Sequence, residues 1–282
     1  MPTQVLDSAP SLLGLYSRAL LKKPHAGHWP AQLGFSLAGV RAGRARVRNY
    51  SRVCHFDDNR FLPPTYLHVM AFPLHMRLIT EPLIPLAPLG LVHVRNTIRQ
   101  FRPVAKEELL HIECALGEMR EEPVGLEFDL HTRIHAGGEL VCEGVSTNLK
   151  RHRSPVPSGE KKQPPPLHSF EVQQTWSLAS GLGRQYGASS GDRNPIHLWP
   201  LTARLFGFKR HIAHGMWTKA RCLAALMPPI DGRPFEIKVA FKTPVYLPAD
   251  VEFSYSPGSD EIPFLLRAPT GRPHLQGAVT FL

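Results

Sequence analysis

The chain has 282 residues, 43% hydrophobic and 20% charged, an ordinary globular balance with length for one large or two small domains. Its 33 basic and 23 acidic residues give a net charge of +10, suited to a phosphate-bearing or acidic partner; no nucleic-acid-binding module is recognisable, so nucleic acid is not an expected partner. No apolar run is long enough to span a bilayer, which excludes a membrane-spanning helix.

In chain order, PSLLGLYSRALLKKP (10–24) has a helical pattern with a basic end. Amphipathic, basic and acid-poor, it also suits a mitochondrial targeting segment, the alternative to a short leading helix of the fold. Residues 31–53 alternate as strands do. A helix is predicted over His68–Thr80, with Met70, Ala71, Leu74, Met76 and Leu78 on an apolar face interrupted by Pro73. Strands follow over 89–104, 109–120, 124–138 and 139–149, with a hairpin turn at Gly137-Gly138. One helix followed by antiparallel strands is an α+β unit whose sheet wraps the helix. RHRSPVPSGEKKQPPP (151–166) is charged and proline-rich and reads as an extended linker. The same order then repeats over 167–282. A strand at 168–178 precedes short helices at 179–191 and 201–206. The main helix starts at His214, carries Met216, Ala220, Leu223 and Met227 on one stripe, and stops at Pro228-Pro229. Strands at 235–247, 250–257, around 264–268 and at 273–282 close the chain.

The densest polar knot is Ser190-Gly191-Asp192-Arg193-Asn194-Pro195-Ile196-His197. Gly191 permits a tight turn and Asn194-Pro195 starts a turn or helix, so a carboxylate and an imidazole leave one rigid turn. That pairing can orient and deprotonate a water. Gly215, at the start of the main helix, offers a backbone N–H that can polarise a carbonyl oxygen. Asn194 is expected to bond its own turn and help hold His197, and is grouped with Arg193, Lys209 and Arg210 as substrate-binding, the three basic residues meeting phosphates beside the site.

SGDRNPIH resembles the S-G-D-x-N-P-[IL]-H signature of the MaoC-like, or (R)-specific enoyl-thioester hydratase, family. The following HGM and the run VAFKTPVYLPADVEF (239–253) are also similar to it. Two positions depart from the pattern: Ala249, where a glycine usually precedes the aspartate, and His211, where proline is frequent. The resemblance covers the second half of the chain. It implies two fused hot dog units packed as a pseudo-dimer: residues 1–150 as a degenerate, non-catalytic unit and 167–282 as the unit with the active site. It also implies hydration of trans-2-enoyl thioesters and dehydration of (R)-3-hydroxyacyl thioesters in fatty-acyl metabolism, with Asp192, His197 and Gly215 as catalytic residues. Coenzyme A or a phosphopantetheine carrier protein would come as part of the substrate, with no separate cofactor. In the first unit His55-Phe56-Asp57-Asp58-Asn59 lacks the signature's spacing, and Met70, Phe72 and Leu74 are candidates to line an acyl tunnel.

Two other readings stand beside this one: a hot dog thioesterase, and a non-catalytic acyl-binding or assembly subunit. No metal is expected. H-E-x-x-H is absent, and His131 and His135, the nearest pair, lie in strand-like sequence without further ligands. Cys54, Cys114, Cys142 and Cys222 form no C-x-x-C pair and read as reduced thiols of a cytoplasmic protein. The fused units stand alone or pair again as a homodimer.

Overall fold

The computed structural model describes residues 3–152 and 170–282; the expected linker lies, from 153 on, outside the described residues. The first unit runs β1 (Gln4–Leu6), α1 (Leu12–Leu21), β2 (Gly34–Val40), α2 (Arg44–Cys54), α3 (Pro64–Ile79), β3 (Leu91–Gln100), β4 (Leu110–Glu122), β5 (Gly125–Ala136) and β6 (Glu139–Arg151). The second runs β7 (Val172–Leu178), α4 (Leu182–Ser190), a 3₁₀ turn (Pro195–His197), α5 (Pro200–Leu205), α6 (Gly215–Ile230), β8 (Phe235–Phe241), β9 (Ala249–Tyr255), β10 (Glu261–Arg267) and β11 (Pro273–Phe281).

Among the described residues eleven strands form one sheet in the order β1-β2-β4-β5-β6-β3-β8-β11-β10-β9-β7. Leaving out β1, which adds in parallel to β2, each half has the same connectivity: first strand outermost, then third, fourth and fifth, with the second at the seam. The halves join where β3 pairs antiparallel with β8, Asn96 opposite Val239 and Ile98 opposite Ile237. This is the α+β arrangement of two fused hot dog units, each with a long helix against its half of the sheet. The apolar stripes of α3 (Leu67, Leu74, Leu78) and α6 (Ala220, Leu223, Leu226) are almost fully buried and belong to one core that spans both halves. Among the described residues no helix is long and apolar enough to cross a membrane.

Three local expectations are corrected. The strand expected through residue 53 ends at Val40, and Arg44–Cys54 is helical. Val47, Tyr50, Ser51 and Cys54 are all buried and stand three, four and seven residues from Val47, so the period is that of a helix face rather than a strand. Helix α3 starts at Pro64, ahead of the expected His68, and runs through Pro73 as expected. Helix α6 continues through Pro228 and Pro229 and ends at Ile230, where Asp231 turns left-handed and gives its N–H to the Met227 carbonyl.

The seam holds a buried lysine. Lys219 reaches from α6 to the Asn96 side-chain oxygen (2.5 Å), the Asn96 carbonyl (3.2 Å) and the Ile237 carbonyl (3.1 Å). Burial pushes its ammonium well below the ordinary lysine range, and the three oxygens supply the hydrogen bonds that water no longer can. Asn96 is in turn held by Ser146 on β6 (3.0 Å), so one side chain ties the helix to three strands. Lys219→Met removes the donor while keeping the bulk. It is expected to cost about 2 kcal/mol and lower Tm by roughly 5 °C; an unchanged Tm would show that the seam does not depend on Lys219.

Candidate active site

Helix α4 ends at Gly191, whose φ of 83° is open mainly to glycine and whose missing Cβ would stand 2.6 Å from Leu12 of α1. Two side-chain turns follow. The Asn194 N–H donates to Asp192 Oδ1 (3.1 Å) and the Ile196 N–H to Asn194 Oδ1 (3.3 Å), so Asn194 fixes the turn as its residue type suggests. Pro195 opens the 3₁₀ turn that delivers His197.

Residues 211–214 are zipped between this turn and the loop after β8. The Ile212 N–H donates to the Ile196 carbonyl, the Ala213 N–H to Val245, and the Leu247 N–H to His211. The Ile212 carbonyl then accepts from His197 Nδ1 at 2.8 Å. That bond puts the proton on Nδ1 and leaves Nε2 as a lone-pair acceptor. His211 departs from the family's proline but serves the same rigid segment, its Nε2 lying 2.8 Å from the Ser180 carbonyl.

His214 was not among the residues singled out from sequence, although it opens the HGM run. Its ring stacks on His197 with centroids 3.7 Å apart, and its Nε2–H donates to the Asp192 carbonyl at 3.0 Å. Gly215 follows at the first position of α6, where backbone N–H groups have no acceptor inside the helix. A Cβ there would meet the Phe241 ring at 3.1 Å, so glycine also serves close packing. Phe241 also packs near His93 of β3 (centroids 5.1 Å), whose Nε2 is buried without a hydrogen-bond partner among the described residues.

Asp192, His197 and the start of α6 therefore converge, and three residues expected beside them stand further out. Arg193, Lys209 and Arg210 are exposed; Arg193 gives its backbone N–H to the Tyr16 hydroxyl (2.7 Å) and Arg210 bonds the Pro248 carbonyl (3.2 Å). In the first unit Asp58 is paired with Lys106 (2.5 Å) at the surface. Of the expected tunnel residues, Leu74 lies in the main core, Met70 packs against that core, and Phe72 packs with α1 residues Leu12, Leu15, Tyr16 and Ala19.

Burial pushes the Asp192 carboxyl up, but the His214 and His197 imidazoles, the Asn194 N–H and the Tyr16 hydroxyl outweigh it and hold the group below the ordinary carboxylate value. Burial lowers His197, and it lowers His214 to about 3. At neutral pH the site is a carboxylate beside two neutral imidazoles. Asp192, His197 and His214 each place a ligand atom within 4.8 Å of the others.

Residues 162–259 match the model of the MaoC like domain. The chain is 32% identical over 243 residues to 3-hydroxyacyl-thioester dehydratase X of Mycobacterium tuberculosis, covering 83% of this chain and 84% of that protein. It is 26% identical over 166 residues to the peroxisomal enoyl-CoA hydratase 2 of Arabidopsis thaliana, 54% of each chain. The crystal structure of HtdX from M. tuberculosis superposes with a TM-score of 0.78 at 32% identity, covering 88% of this chain and 99% of that one.

Nitrogen NMR at neutral pH is expected to find His197 as the Nδ1–H tautomer and His214 as the Nε2–H tautomer, both neutral. Protonation of His214 above pH 5 would contradict this electrostatic picture.

Proposed function

The chain belongs to the MaoC-like dehydratase family, and on that basis we propose that it adds water to trans-2-enoyl thioesters, and removes it from (R)-3-hydroxyacyl thioesters, at one site in its second unit. The observation that carries the reading is a pair of acceptors to which no donor is bonded among the described residues, Asp192 Oδ2 and His197 Nε2, beside the N-terminus of α6.

A water placed between two acceptors donates both hydrogens and keeps a lone pair for the carbon it attacks. The thioester carbonyl takes the Gly215 N–H at the positive end of α6, which draws charge from the double bond toward oxygen as the addition proceeds. Oxygen bonds to C3 while one proton passes to His197 Nε2 or Asp192. The double-bond electrons move toward the thioester, and C2 then takes up one proton from the pair. Water is thus divided between C3 (hydroxyl) and C2 (hydrogen), and the pair ends as it began. The reverse sequence is the dehydration.

No metal or separate cofactor enters this scheme; coenzyme A or a phosphopantetheine arm comes with the acyl group, and the exposed Arg193, Lys209 and Arg210 are suited to its phosphates. Among its described residues the first unit has no such acid/base pair, and it serves as a scaffold. The four cysteines, all free and buried, support a reducing compartment such as the cytoplasm. Pairing of the chain into a homodimer is the further expectation, decided by sedimentation.

Asp192→Asn and His197→Ala are each expected to lower turnover ~10²–10⁴-fold, read as loss of the conjugated enoyl absorbance. Wild-type turnover in both would overturn the assignment. The working form has Asp192 ionised and His197 neutral, and both groups are shifted down. Rate should therefore hold through neutral pH and fall only in acid, below the ordinary histidine value of about 6.5; a fall beginning above pH 7 would contradict it.

A further inference from the structure

We propose that Tyr16, on the leading helix of the first unit, is a positioning residue for the Asp192 carboxylate, so that the site in the second unit is completed by the first. The inference rests on the reading of Asp192 as an acid/base group. The Tyr16 hydroxyl lies 3.1 Å from Asp192 Oδ1 and 3.3 Å from the Gly191 carbonyl, and accepts the Arg193 N–H at 2.7 Å. One phenol oxygen thus touches three successive residues of the turn. Oδ1 receives this O–H as well as the Asn194 N–H, which leaves Oδ2 as the less engaged oxygen, 3.9 Å from His214 Nε2.

The helix that carries Tyr16 is itself held. Ser11 caps it, Leu12 fills the space left by Gly191, and Leu15 and Ala19 are buried against Met76 of α3. At its far end Lys22 bonds the Ile79 carbonyl (3.2 Å) and the Glu81 carbonyl (2.7 Å). A phenol on a docked helix fixes a carboxylate rotamer more firmly than a loop residue does. The groups that act on Asp192 from the surrounding elements are Tyr16 of α1, Tyr186 of α4, His197 of the 3₁₀ turn, His214 ahead of α6 and His93 of β3. Burial and the Asp192 charge keep the Tyr16 phenol protonated far above neutral pH, so it remains a donor wherever the carboxylate is ionised.

The test compares wild type, Tyr16→Phe, a protein with 3-fluorotyrosine placed at position 16, and Asp192→Asn. Two readouts are taken: kcat and KM for trans-2-enoyl-coenzyme A, and the titration of the Asp192 carboxyl carbon by ¹³C NMR. Tyr16→Phe is expected to lower kcat ~10- to 100-fold with KM nearly unchanged, and to move the Asp192 titration to higher pH. The fluorinated phenol, a stronger donor on the same ring, is expected to move it to lower pH, and it carries the test if the phenylalanine variant does not fold. An Asp192 titration unmoved by either change would overturn the proposal, as would wild-type kcat in Tyr16→Phe where Asp192→Asn is inactive. If Asp192→Asn keeps wild-type turnover, the catalytic reading of the site fails; the NMR titration, which needs no turnover, still decides whether Tyr16 holds the carboxylate.

Discussion

A carboxylate and imidazoles can be buried together only if their hydrogen bonds are supplied by the protein, because each unmet polar atom costs as much as a packed side chain gains. Here the backbone does most of this. The Ile212 carbonyl takes His197 Nδ1–H, the Asp192 carbonyl takes His214 Nε2–H, and the Asn194 N–H fills Asp192 Oδ1. Each bond fixes a tautomer or a rotamer, and together they leave the lone pairs that the chemistry needs. Local conformation follows from this constraint: the left-handed Gly191, the paired side-chain turns and the zipped segment before α6 bring those backbone groups into place.

The same constraint links the two units of like connectivity. In the proposed reaction the second unit supplies the reacting groups. The first supplies half of the seam through β3, the Val53 carbonyl that accepts the buried Trp217 indole N–H of α6 (2.9 Å), and the helix that covers Gly191. Pro10–Pro24, which also suits a targeting segment, contains the packed helix α1. Lys219 matters for the same reason: it sits on the helix whose first residue faces the site, and anchors that helix to both halves of the sheet.

Much of this is legible in sequence because it is local. Strand alternation, the Gly137-Gly138 turn and the polar knot around Asp192 and His197 depend on neighbours a few residues apart, and the likeness of the two halves shows in the repeated order of their elements along the chain. What escapes is tertiary. Tyr16 lies 176 residues from the carboxylate it bonds, and no spacing rule links a helical tyrosine to a distant turn. His93 and Lys219 look like surface residues of a strand and a helix until the two halves are joined. Helix α2 is missed for another reason: its buried face includes Ser51, and a polar residue on a helical stripe weakens the 3.6-residue period enough for strand alternation to compete.

The most direct test of the central claim is hydration of a trans-2-enoyl-coenzyme A in deuterated water, with the product examined by NMR and chiral chromatography. The account predicts an intact (R)-3-hydroxyacyl thioester with one solvent deuteron at C2. Release of free thiol and fatty acid would instead mark a thioesterase, and recovery of unchanged substrate across chain lengths on both coenzyme A and carrier protein would mark a binding subunit; either result would contradict it.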